Sequence, residues 1–104
     1  MEKKDFLPMA ADVINRIDKN AFTSHDFLDM FRKCCPRDYI EMLTHYNNIG
    51  NEENPITTVH KLIGKWLLEG SNNNPLSIQK IGEVESKTIL GEKSQVAEWE
   101  KIKK

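Results

Sequence analysis

Residues 54–69 read Asn54-Pro55-Ile56-Thr57-Thr58-Val59-His60-Lys61-Leu62-Ile63-Gly64-Lys65-Trp66-Leu67-Leu68-Glu69. An asparagine able to cap, with proline at the first helical position, is a strong helix start. Val59, Leu62, Ile63, Trp66 and Leu67 then recur at i, i+3, i+4, i+7 and i+8, the clearest helical periodicity in the chain. The stripe predicts a helix over 55–69 that buries these five side chains, ended by Glu69-Gly70-Ser71 and three asparagines. Thr57, Thr58, His60, Lys61, Gly64 and Lys65 are left for its outer face.

Upstream of it the chain reads as three shorter helices. Phe6, Ala10, Val13, Ile14 and Ile17 predict an amphipathic helix over 5–18, with Pro8 tolerated in the first turn. Thr23 can cap the next helix, Asp26 three residues later can return the bond, and Phe22 and Phe27 are placed for a hydrophobic staple. Phe27, Leu28 and Phe31 form the stripe of that helix, 23–34, which stops before Pro36. A third helix over 36–48 turns Tyr39, Ile40, Leu43 and Tyr46 inward and ends at Asn47–Asn51, with Gly50 as a left-handed terminator. Phe27, Phe31, Tyr39 and Leu43 are expected to meet the 59–67 stripe in one core.

Downstream the period changes. Leu76-Ser77-Ile78 alternates like a half-buried strand, and Lys87-Thr88-Ile89-Leu90 is a second β-type run. The polar stretch Gly82–Ser86 between them is expected at the tip of a hairpin. Val96, Trp99 and Ile102 follow Ser94 at helical spacing and suggest a short C-terminal helix. No internal repeat, low-complexity stretch or linker divides residues 1–104, so a single domain is expected.

The order is α+β and mostly α: four helices, a β-hairpin and a short C-terminal helix. Short helices followed by a two-stranded hairpin resemble the winged helix-turn-helix architecture. In that resemblance 23–34 and 36–48 form the first helices of the motif, 55–69 takes the recognition position and 76–91 forms the wing. The likeness lies in element order and length. The link over 47–54 is longer than the tight turn of roughly three to four residues in a standard helix-turn-helix.

Composition narrows the function. The 104 residues carry 15 Lys+Arg against 16 Asp+Glu, a net charge of −1, which excludes a polybasic protein that binds by bulk charge. Residues 1–54 carry a net −3 and residues 55–104 a net +2, so an anionic partner would meet the second half. No apolar run reaches the roughly 18 to 20 residues needed to span a bilayer, and Met1–Asp5 leads into no signal-type segment. A cytoplasmic protein away from membranes is expected.

Cys34 and Cys35 are adjacent, a spacing that excludes a disulfide framework and reads as two reduced thiols at a helix end. With His25, His45 and His60 they do not supply the paired ligand spacing of structural zinc, so no metal and no cofactor is expected. Gly-rich phosphate loops, Gly-x-Ser-x-Gly elbows and His-Glu-x-x-His pairs are absent from the sequence, and a non-catalytic domain is expected.

The winged-helix resemblance implies double-stranded DNA as partner. Thr57 and Thr58 at a helix start can hydrogen-bond phosphate, and Lys61 and Lys65 one turn apart can neutralise two more. His60 shares that face, Lys80, Lys87 and Lys93 extend it onto the wing, and Gly64 would allow close approach. The weak net charge calls for a second copy of the chain, a homodimer, or a larger partner. The alternative is a protein-interaction module that docks a basic partner on the acidic first half. A contiguous positive band over 57–65 and 80–93 would favour DNA, and interruption by Glu69, Glu83 and Glu85 would favour protein.

Overall fold

A computed structural model describes residues 2–49, 54–72, 76–87, 91 and 93–102. Its elements run α1 (Lys3–Arg16), β1 (Ala21–Thr23), α2 (Ser24–Cys34), α3 (Pro36–Ile49), α4 (Pro55–Asn72), β2 (Ile78–Lys87) and β3 (Lys93–Lys101). The strands form one antiparallel sheet in the order β1-β3-β2. The chain is thus α+β and mostly helical, with four helices before the hairpin.

The helix starts follow the sequence signals. Thr23 Oγ1 accepts from the Asp26 amide at 3.1 Å while the Asp26 carboxylate accepts from the Thr23 amide at 2.9 Å, a complete capping box. Asn54 Oδ1 accepts from the Ile56 amide at 2.9 Å and so caps α4. The core forms where the apolar stripes meet. Phe6 of α1 lies 5.9 Å from Phe27, 6.0 Å from Phe31 and 5.1 Å from Trp66, ring centre to ring centre. Val59, Ile63, Trp66 and Leu67 of α4 close over this aromatic centre, all buried. Leu62 and Leu43 reach it only from half-buried positions at its edge.

Several expectations are corrected. Residues 93–101 form a strand, and no C-terminal helix exists there. The three-residue spacing of Val96, Trp99 and Ile102 suited a helix, but Ala97, Trp99 and Lys101 also alternate with Glu98 and Glu100. As the central strand, β3 gains backbone hydrogen bonds on both edges, whereas an isolated short helix is marginal in water. The missing piece was β1, three residues whose Phe22 stands opposite Trp99. Gly82–Ser86 is strand, not hairpin tip: Val84 and Ser86 are half-buried and alternate with exposed Glu83, Glu85 and Lys87, as on a sheet with one solvated face. The reversal lies between Lys87 and Lys93, where Gly91 adopts a φ of 83°. Lys87 therefore ends β2, and the expected strand residues 88–90 lie outside the described residues, as does Gly50.

Two helix readings also shift. Ile40 is 59% exposed, because the buried stripe of α3 runs through Tyr39 and Met42 with Leu43 and Tyr46 beside them, and Ile40 sits about 100° off it. Helix α4 continues through Gly70 and Ser71 to Asn72. Gly70 is a packing residue, not a terminator: a Cβ there would stand 2.6 Å from Leu76 Cδ1 and 2.9 Å from Leu7 Cδ2.

Trp66→Ala should cost about 3–5 kcal/mol in chemical denaturation, since the neighbouring rings cannot close the space it leaves. Gly70→Ala should cost about 1–3 kcal/mol, because the added methyl must push Leu76 and Leu7 from their rotamers. An unchanged denaturation midpoint in either variant would contradict the packing described.

Candidate functional site

An open groove of about 700 Å³ runs between α4 and the hairpin. Its apolar floor is made by Leu28 of α2 with Val96, Ala97 and Trp99 of β3. One wall is α4, presenting Ile56, Thr57, Lys61, Gly64, Lys65 and Leu68. Lys80, Ser94 and Gln95 of the hairpin form the other. Three lysines thus line the groove, and among the described residues no carboxylate does. This is the size range of ligand grooves, 300 to 1,000 Å³ roughly, though its open shape suits an extended ligand.

The sequence-derived candidates divide around it. Thr57, His60, Lys61, Lys65 and Lys80 are groove residues, with Lys61 and Lys65 exposed one turn apart on α4. Thr58 is half-buried behind the rim, its amide donating to the Asn54 carbonyl at 3.0 Å. Lys87, exposed at the end of β2, borders a smaller adjoining hollow of about 230 Å³ with Arg32, Ser86 and Asp29. The carboxylates that could interrupt a positive band are each paired with a lysine, and Glu83 is paired with Lys80 of the groove wall itself. Glu69 meets Lys3 at 3.0 Å, Glu83 meets Lys80 at 3.0 Å and Glu85 meets Lys93 at 3.5 Å. These pairs are solvent-exposed and worth little to stability, so a competing phosphate could exchange for the carboxylate on Lys80.

His60 behaves differently from an outer-face residue. Its Nε2 lies 2.8 Å from the Tyr39 hydroxyl, with the two rings 5.9 Å apart. Burial, the nearby Arg32 guanidinium and then His25 push the His60 pKa down to about 4. Burial likewise raises that of Tyr39. Both shifts keep the pair neutral, so one proton is shared in the bond, on the Tyr39 oxygen or on His60 Nε2 according to the imidazole tautomer. The Arg32 guanidinium sits 5.9 Å from the Tyr39 ring centre and also bonds Asp29. His60 thus ties α4 to α3.

Two further polar links were not legible in the sequence. His25 Nδ1 lies 2.8 Å from Ser86 Oγ, joining the start of α2 to the far end of β2 across 61 residues of chain. Trp99 Nε1 donates to Ser24 Oγ at 3.1 Å. No local pattern marks such pairs, because the partners meet only once the sheet is built. His45 stands exposed on α3, and Cys34 and Cys35 are half-buried free thiols, Cys35 with its pKa raised first by burial and then by Asp38.

The neutral His60 gives the fold a pH dependence. The unfolded chain takes up a proton near pH 6.5 that the folded chain refuses until about pH 4. Stability from this residue is therefore full above pH 6.5 and lost as pH falls from 6.5 toward 4. His60→Gln should flatten the dependence of Tm on pH between 6.5 and 5, and an NMR titration should place the His60 midpoint near 4. A midpoint at or above 6.5 would contradict the buried Tyr39–His60 bond. Neither a protein-family model nor a curated protein nor a solved structure matches this chain.

Proposed function

We propose that this chain is a small non-catalytic winged-helix-like domain that binds double-stranded DNA. In this reading α4 enters the major groove and the β2–β3 hairpin lies along the backbone as the wing. The observation that carries the reading is the charge of one face: Lys61 and Lys65 on α4 stand across a groove from Lys80, and no carboxylate among the described residues lines it. With 18 residues, α4 is about 27 Å long, and a B-DNA major groove about 12 Å wide admits such a helix. The element order supports it too, with a strand after α1 pairing with the hairpin that follows α4. Helix α3 makes the helical region larger than a standard helix-turn-helix, and α4 takes the recognition place by directly preceding the wing.

Within this reading Lys61, Lys65 and Lys87 bind phosphates, Lys80 adds a fourth once freed from Glu83, and Thr57 hydrogen-bonds the backbone. His60 serves by holding α4 in place. Few cations and a net charge of −1 give weak binding by a single copy, which two copies on adjacent half-sites would strengthen. The second reading, a protein-docking module, is favoured by exposed Leu68 of α4 and Ile81 of β2, 41% and 45% accessible.

Affinity for duplex DNA should fall as salt rises, and each of Lys61→Ala, Lys65→Ala and Lys87→Ala should flatten the logarithmic salt slope by roughly one. The triple variant should lose detectable binding while its circular dichroism is unchanged, since all three side chains are exposed. Undiminished binding by the triple variant would refute this face. No binding by the unmodified protein at low salt would favour the protein partner.

A further inference from the structure

Gly64 lies in the middle of α4 (Pro55–Asn72) and faces the groove. An interior helix glycine is less favourable than alanine. The usual reason to keep one is a neighbour that leaves no room for a side chain, and that reason holds at Gly70, where a Cβ would stand 2.6 Å from Leu76. It does not hold at Gly64. A Cβ built there meets no heavy atom within 4 Å, and its backbone is helical, so neither packing nor a left-handed φ calls for glycine. The open space above it is the groove, with Lys61 and Lys65 on either side and Lys80 opposite.

We propose that Gly64 is the point of closest approach between α4 and the bound DNA, where a sugar–phosphate strand lies against the helix backbone between the lysines. This rests on the DNA reading above and specifies its contact geometry. The apolar floor of Val96, Ala97 and Trp99 suits deoxyribose carbons, and the lysines suit the phosphates that flank them. A side chain at 64 would lift that strand away from the helix and lengthen every phosphate contact together. Gly64 therefore sets how deeply α4 seats, while the lysines set the strength of the charge attraction.

The two roles are separable by experiment. Gly64→Ala should raise Tm by about 4 °C, as expected for replacing an unconstrained helical glycine in a domain of this size. The same variant should bind a mixed-sequence duplex about tenfold more weakly, and Gly64→Leu more than a hundredfold. Both should retain the salt slope of the unmodified protein, since no cation is removed, unlike the lysine variants. Unmodified protein that binds DNA alongside Gly64 variants of equal affinity would overturn the assignment of Gly64 and leave the DNA reading standing. A Tm lowered by several degrees in Gly64→Ala would show that the glycine serves the fold and also overturn it. Failure of the unmodified protein to bind at low salt would overturn both.

Discussion

Trp99 is the residue on which the arrangement of sheet and helices depends. It is buried on the central strand, opposite Phe22 of β1 on one side and Lys80 of β2 on the other. Its indole N–H reaches Ser24 at the first turn of α2. A large ring in this place satisfies two demands at once, filling apolar space beneath the sheet and finding a partner for its one polar atom. The end of β3 is held by backbone bonds on both sides, from the Lys101 amide to Asn20 and from the Ile102 amide to Ser77. Sheet and helices are thereby locked at a fixed distance, and the groove beside α4 is the space that this distance leaves.

The other side of the groove is held by polar links that cross between elements. Tyr39 and His60 tie α3 to α4, and His25 and Ser86 tie α2 to the hairpin. Their half-buried setting makes each bond more consequential than a surface one, because losing one partner strands the other away from water. The lysines differ in kind: they are long and solvated, and Lys80 and Lys93 take part in exposed ion pairs. A rigid frame carrying adaptable cations suits a ligand whose recognition is mainly electrostatic.

Register within α4 follows from the same division. Its apolar stripe is consumed by the aromatic centre around Phe6, which leaves one rotational setting for the helix and directs Thr57, Lys61, Gly64 and Lys65 to the groove. His60, at the border between stripe and face, is drawn to the Tyr39 hydroxyl. Helical periodicity placed it on the outer side, but periodicity specifies only an angle around the axis. Whether a border residue meets water or a neighbour depends on what the adjacent helix offers.

By itself the sequence determined the four helices, both of the caps discussed, the aromatic core and the lysine-bearing face of α4. Those features depend on neighbours a few residues apart, and capping, 3.6-residue periodicity and proline placement act at that range. Only the tertiary structure decided that 93–101 is a strand, that Gly82–Ser86 belongs to β2, and that Gly70 packs while Gly64 stands free. It also decided that His25 meets Ser86 and Trp99 meets Ser24. The physical reason is that a strand obtains its hydrogen bonds from distant chain. Residues 93–101 carry spacing that fits either a helix or a strand, and the edges of β1 and β2 selected the strand. Gly70 likewise reads in sequence as part of a helix end, and only its distance to Leu76 shows it to be a packing residue.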